Sequence, residues 1–208
     1  LHTRSFQMMV EAGSMRIMEI LSEATNVIAE GEVLQLMNMH DASLDEADYL
    51  RVIRSKTAKL FEASARLGAI LANSPPDVEE ACATYGQALG TAFQIIDDVL
   101  DYDGDAAEMG KNLGDDLREG KSTLPLIAAM ERGTFSQAEV VRQAIEHGST
   151  EQLTEIVSIV RQTGALDVTR AAAFAEAHRA MAAARRLPAN AYSEGLLELA
   201  SQLLERRN

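Results

Sequence analysis

Residues Phe93 to Asp101 read F-Q-I-I-D-D-V-L-D, three aspartates set into an apolar helical run. At 3.6 residues per turn, Gln94, Asp97, Asp98 and Asp101 project within an arc of about 100°. Carboxylates so placed repel one another, and like charges at i,i+4 weaken a helix. Water, basic partners or a hard divalent cation relieve that repulsion, and an oxygen-only cluster favours Mg²⁺. A run of acids is often no more than a solvated face. Here Phe93, Ile95, Ile96, Val99 and Leu100 argue for burial around the cluster.

The next segment, Gly104 to Lys121, reads G-D-A-A-E-M-G-K-N-L-G-D-D-L-R-E-G-K. Its glycines let backbone approach a ligand closely, and Lys111 and Lys121 are candidate phosphate partners. A glycine-rich stretch alone describes any surface connection. Beside the aspartates it is the layout for a Mg²⁺–diphosphate complex, in which metal bridges protein and substrate oxygens.

Outward from this centre the chain reads as helix after helix, with no stretch patterned as a strand. Ser43-x-x-Glu46 reads as a capping box opening a helix that runs to about Ala72, before Pro75 and Pro76. Asp77 then starts the helix that carries Cys82, Tyr85, Leu89, Phe93, Ile96 and Leu100 at i+3/i+4 spacing. Ser136-x-x-Glu139 and Ser149-x-x-Gln152 read as caps of two more helices. An Ala-rich segment from Ala165 to Leu187 and a last helix from about Asn190 complete the set. Short connections predict antiparallel neighbours in one all-α domain over residues 1–208.

Two further blocks stand out. Ile53–Phe61 reads I-R-S-K-T-A-K-L-F, within a basic stretch (Arg51, Arg54, Lys56, Lys59) that holds no acid. Such a run is most often a solvated helix face. Ala29–Leu36 reads A-E-G-E-V-L-Q-L, where Glu30, Glu32 and Gln35 form the polar side of a helix backed by Val33, Leu34 and Leu36.

Taken together, F-Q-I-I-D-D-V-L-D-Y, G-K-N-L-G-D-D-L-R-E-G-K-S-T-L-P-L, A-E-G-E-V-L-Q-L and I-R-S-K-T-A-K-L-F resemble the trans-isoprenyl (polyprenyl) diphosphate synthases. The likeness is greatest to their long-chain bacterial branch, which makes octaprenyl and related diphosphates for quinone side chains. It implies an isoprenoid synthase-type bundle of antiparallel helices. It also implies Mg²⁺, an allylic prenyl diphosphate and isopentenyl diphosphate as ligands, and a homodimer. By resemblance, Lys56, Thr57 and Gln94 face the allylic substrate, Lys111 closes over its diphosphate, and Lys121 is a further substrate-binding lysine. Asp97, Asp98 and Asp101 match the metal-binding aspartates. His2, His40, His147 and His178 match no motif and read as structural or surface residues.

The family carries two aspartate-rich motifs, and only the second is present. The opening L-H-T-R-S-F-Q-M-M resembles the helix that follows the first, so the chain reads as a C-terminal portion that does not turn over unaided. Two other readings stay open: a non-catalytic partner subunit of the same fold, and head-to-head coupling of the squalene or phytoene type.

Composition narrows the partners. The net charge of −13 argues against nucleic acid and anionic membrane. No apolar run reaches the length of a membrane span. The single Cys82 excludes an internal disulfide and suits a reducing cytoplasm. With no Trp and 4% aromatic residues, a core must be filled by aliphatic side chains and methionines. Met8, Met9, Met15 and Met18 read as one stripe on an early helix, either ordinary core or, by the resemblance, tunnel lining.

Overall fold

A computed structural model describes residues 2–103 and 113–205, and every described element is helical. The elements are α1 (His2–Glu11), α2 (Met15–Asn38), α3 (Glu46–Ile53), a π-helical turn (Arg54–Ala58), α4 (Lys59–Leu71) and α5 (Pro76–Asp103). They continue with α6 (Asp115–Arg118), α7 (Leu124–Arg132), α8 (Phe135–His147), α9 (Leu153–Gln162), α10 (Ala165–Ala184) and α11 (Ala191–Glu205).

The fold is built around α5. Its 28 residues make a rod roughly 40 Å long. Buried residues lie on nearly all its faces, from Ala81 and Tyr85 to Ile95, Ile96, Val99 and Tyr102. It packs mainly on α10 and α4. The α10 face is a stripe of alanines, Ala173, Ala177, Ala180 and Ala184, which lets two backbones approach closely. Larger side chains fill the two ends, with Tyr85, Leu89 and Leu203 at one and Leu117, Leu126, Ile145, Ile156 and Val160 at the other. Ion pairs fasten the rods at their margins: Arg170 to Asp103, and Arg54 to Glu176 at 2.8 Å.

Several helix starts fall elsewhere than the sequence signals suggest. α3 is capped by Asp45, whose side chain accepts from the Asp48 N–H, while Ser43 turns back to Asp41. The helix predicted through Ala72 is interrupted by the π turn. α5 opens at Pro76, a residue suited to the first helical position because it lacks the N–H that would go unbonded. The box at α8 is Thr134 with Gln137, not Ser136 with Glu139. α9 begins at Leu153 with no side-chain cap, Ser149 bonding instead to the Glu151 N–H. Asn190 does cap the last helix, accepting from Tyr192 and Ser193.

The methionine stripe is divided by the turn at Gly13 and Ser14 between α1 and α2. Met8 and Met15 are exposed, at 59% and 70%, so they are not core. Phe93 also differs from expectation. It is 37% exposed, its ring 5.9 Å from that of Phe61, whereas Ile95, Ile96, Val99 and Leu100 are buried as the pattern suggests.

Candidate active site

The aspartate-bearing turn of α5 meets the π turn and α3 around Asp98. Only 3% of Asp98 is exposed, and both of its oxygens are engaged. The Tyr49 hydroxyl donates to Oδ2 at 2.7 Å, and Gln94 Nε2 donates to Oδ1 at 2.8 Å. Gln94 Oε1 in turn accepts from the Thr57 hydroxyl at 3.1 Å. One chain of bonds therefore runs from the π turn through α5 to α3. Asp101, one turn further along, accepts backbone N–H groups of Asp115 and Asp116 at 3.3 Å each and draws α6 onto the same face. Asp97 is half-buried beside them.

The basic stretch divides its labour. Arg51 pairs with Asp48 at the surface, Arg54 with Glu176, and Lys59 with Glu23 and Glu62. Lys56 turns the other way, its Nζ 3.2 Å from both Glu32 and Gln35. The π turn makes this possible, since one wider turn rotates Lys56 and Thr57 off the face that α4 continues. Close packing holds it. A Cβ on Gly31 would sit 2.7 Å from the Lys56 nitrogen, and one on Gly90 would sit 2.8 Å from the Ala58 Cα. Gly31→Ala is therefore expected to cost about 1–3 kcal/mol, measurable by chemical denaturation, because backbone must move to admit the methyl. Unchanged stability would show that the turn is not pinned there.

Across from Lys56, Lys121 lies 2.8 Å from Asp116 and 2.8 Å from Glu119. Lys56, Thr57, Gln94, Asp98, Asp116 and Lys121 line one cavity of about 90 Å³, closed on its apolar side by Met39, Leu44, Val52 and Ile53. Five residues singled out from sequence thus converge: Lys56, Thr57, Gln94, Asp98 and Lys121. Asp97 and Asp101 flank them on α5, and Lys111 lies outside the described residues. Tyr49 and Asp116 were not anticipated. Asp116 sits inside the quoted G-D-D-L-R-E-G-K, and its acid among lysines was a usable signal. Tyr49 stands two helical turns before Lys56, and nothing in its spacing marks a carboxylate partner.

The electrostatics are those of an under-compensated anionic site. Burial, and then the Asp116 charge, hold Asp98 well above the usual carboxylate range. The same two causes push Asp101 up to about 6. Burial followed by the Asp98 charge raises Tyr49, which stays a neutral donor. Burial works against the Lys121 charge, but its bonds to Asp116 and Glu119 outweigh it and hold the ammonium protonated.

A carboxyl group whose pKa is higher folded than unfolded binds its proton more tightly in the native state. Its stabilising contribution is complete below the ordinary value of 3.8 and is lost as pH rises through the folded value, about 6 for Asp101 and higher for Asp98. Without added divalent cation, the melting temperature is expected to fall between pH 5 and pH 8. A flat or rising profile over that window would contradict the burial of these acids.

The oxygen-only donors fit a hard divalent cation. Among the described residues, no three acidic, histidine or cysteine side chains converge tightly enough to hold one unaided. Such a cation would need further oxygens from a ligand, the habit of Mg²⁺ at phosphate sites. The all-helical bundle thus brings aspartates and two lysines around one cavity.

The polyprenyl synthetase family profile matches residues 1–162. Octaprenyl diphosphate synthase of Escherichia coli (strain K12) is 50% identical over 207 residues, covering 99% of this chain and 64% of that protein. All-trans-nonaprenyl-diphosphate synthase (geranyl-diphosphate specific) of Rhodobacter capsulatus is 43% identical over 203 residues, 98% of this chain and 62% of that one. The crystal structure of polyprenyl synthase from Caulobacter crescentus CB15, complexed with calcium and isoprenyl diphosphate, superposes with a TM-score of 0.93 at 46% identity. The overlap covers 99% of this chain and 63% of that one. The chain spans less than two thirds of the length of these relatives. It belongs to the polyprenyl synthetase family.

Proposed function

We propose that this chain supplies the second-motif half of the active site of a long-chain trans-polyprenyl diphosphate synthase. The enzyme extends an allylic diphosphate, such as farnesyl diphosphate, with isopentenyl diphosphate, and octaprenyl diphosphate for quinone side chains is the favoured product. The observation that carries this reading is the convergence of Lys56, Thr57, Gln94, Asp98, Asp116 and Lys121 on one cavity. The octaprenyl product follows the printed name of the Escherichia coli relative, and a diphosphate with a divalent cation accompanies the Caulobacter relative. The matched relatives include chain-elongating synthases, which favours elongation over head-to-head coupling.

In this reading Asp97 would hold Mg²⁺. Asp98, both of whose oxygens are taken by protein donors, and Asp101, bonded to the α6 backbone, shape its surroundings. When bound, Mg²⁺ would supply positive charge to balance that of a departing diphosphate. Lys56 and Lys121, with Lys111 by resemblance, stabilise the same oxygens as the allylic C1–O bond breaks. The electron pair leaves with the diphosphate. Thr57 and Gln94, fixed by their mutual bond, present oxygen dipoles toward the allylic cation. The isopentenyl double bond forms the new bond to C1, and the proton lost from the product is taken by the released diphosphate. No side chain is required as base.

The enzyme acts as a cytoplasmic homodimer. No helix among the described residues is long and apolar enough to cross a membrane. The apolar residues exposed on α1 and α2, among them Phe6, Met8, Leu36 and Met37, offer surface for a second copy to cover.

The test is product formation from farnesyl and isopentenyl diphosphates with Mg²⁺, comparing this chain with the full-length protein. A polyprenyl product from the full-length protein alone is expected. No product from a folded full-length protein would favour a non-catalytic partner subunit and overturn the assignment.

A further inference from the structure

Lys121 lies between two residues that are each fastened to the turn ending α2. The His40 backbone N–H donates to the Gly120 carbonyl oxygen at 2.7 Å, and the Ser122 hydroxyl donates to the Asp41 carbonyl oxygen at 2.6 Å. The two bonds bracket Lys121 on both sides. They hold the backbone from which its side chain starts.

The turn is shaped for this contact. His40 has a φ of 64°, in the left-handed region that few non-glycine residues occupy. Its ring fills the space left by two left-handed glycines. A Cβ on Gly120 would collide with the ring, and one on Gly148 would come within 3.1 Å of it. Ring Nδ1 lies 3.1 Å from the Ile145 carbonyl oxygen, a hydrogen bond in the tautomer protonated at Nδ1. The imidazole is thus a wedge joining the end of α2, the segment carrying Lys121 and the end of α8. Strain at a left-handed residue persists only where its surroundings over-determine it, and such residues gather at functional sites.

We infer that His40 is a positioning residue for Lys121. With Asp41, it fixes the backbone on either side of the lysine so that the ammonium meets a diphosphate oxygen at the cavity. The inference rests on the proposed role of Lys121 as a diphosphate ligand. A merely structural histidine would lower stability without acting through that lysine.

The test titrates inorganic diphosphate with Mg²⁺ into the full-length protein by calorimetry, using His40→Asn, Ser122→Ala, Lys121→Ala and the double variant His40→Asn/Lys121→Ala. Asparagine tolerates the left-handed conformation and keeps the backbone bond while removing the ring. Lys121→Ala is expected to weaken binding by at least roughly tenfold. His40→Asn and Ser122→Ala should each weaken it by roughly three- to tenfold, and the double variant should bind no worse than Lys121→Ala. If His40→Asn fails to fold, His40→Gly takes its place, because glycine adopts the left-handed conformation without steric cost and keeps the backbone N–H while removing the ring. Wild-type affinity in the His40 and Ser122 variants, with Lys121→Ala impaired, would overturn the inference and leave the role of Lys121 standing. So would a double variant in which the two losses simply multiply. Wild-type affinity in Lys121→Ala would remove both the role and the inference.

Discussion

On the proposed function, Asp97→Ala in the full-length protein is expected to lower turnover roughly 10²- to 10³-fold while the protein stays folded. Asp97 is half-buried on the acidic face of α5, and its charge is one of those that raise Asp98. On the proposed function its removal takes away a metal-binding oxygen, and it also relieves like-charge repulsion. The two effects have opposite signs for activity and stability, and that separates this aspartate from a core residue. Steady-state kinetics together with a thermal melt checks both. Unchanged turnover would exclude Asp97 from the metal site, and a large drop in melting temperature would make it a structural acid instead.

Lys56→Ala is expected to raise KM for the allylic diphosphate and to lower kcat, with kcat/KM falling roughly 30- to 100-fold. That is the scale of one charge-assisted hydrogen bond to a developing anion. Stability should hardly change. The partners Lys56 leaves behind are Glu32, which is half-exposed, and Gln35, and partly exposed ion pairs contribute little. Kinetics indifferent to this substitution would return the residue to the solvated face that its basic neighbours suggest.

These predictions depend on features that were unequally visible in the sequence. The helical class was legible because apolar residues recur at i+3 and i+4 through α5 and because Ala165–Ala184 is so rich in a strong helix former. Helix starts were less legible. Ser43, Ser136 and Ser149 all look like caps, yet Asp45 and Thr134 are the residues that cap, and α9 uses no side chain at all.

At the site, the acids and lysines could be picked out by type, but not what each one bonds. Asp98 reads the same as Asp97 on a helical wheel. Only the approach of Tyr49 from α3, and of Gln94 held by Thr57, shows Asp98 to be enclosed. The π turn had no sequence signature of its own. It packs against Gly31 and Gly90, which sit on other helices and matter because backbone passes where their side chains would be. Long-range packing of that kind is written in pairs of residues far apart in the chain, and a local pattern does not carry it.

On the proposed function, the cavity between Lys56 and Lys121 binds a diphosphate through a divalent cation. Titrating inorganic diphosphate into the full-length protein, with and without Mg²⁺, tests it most directly. Saturable binding that requires Mg²⁺ and is lost in Asp97→Ala is the predicted result. Binding of equal strength without the metal, or binding unaffected by Asp97→Ala, would contradict it.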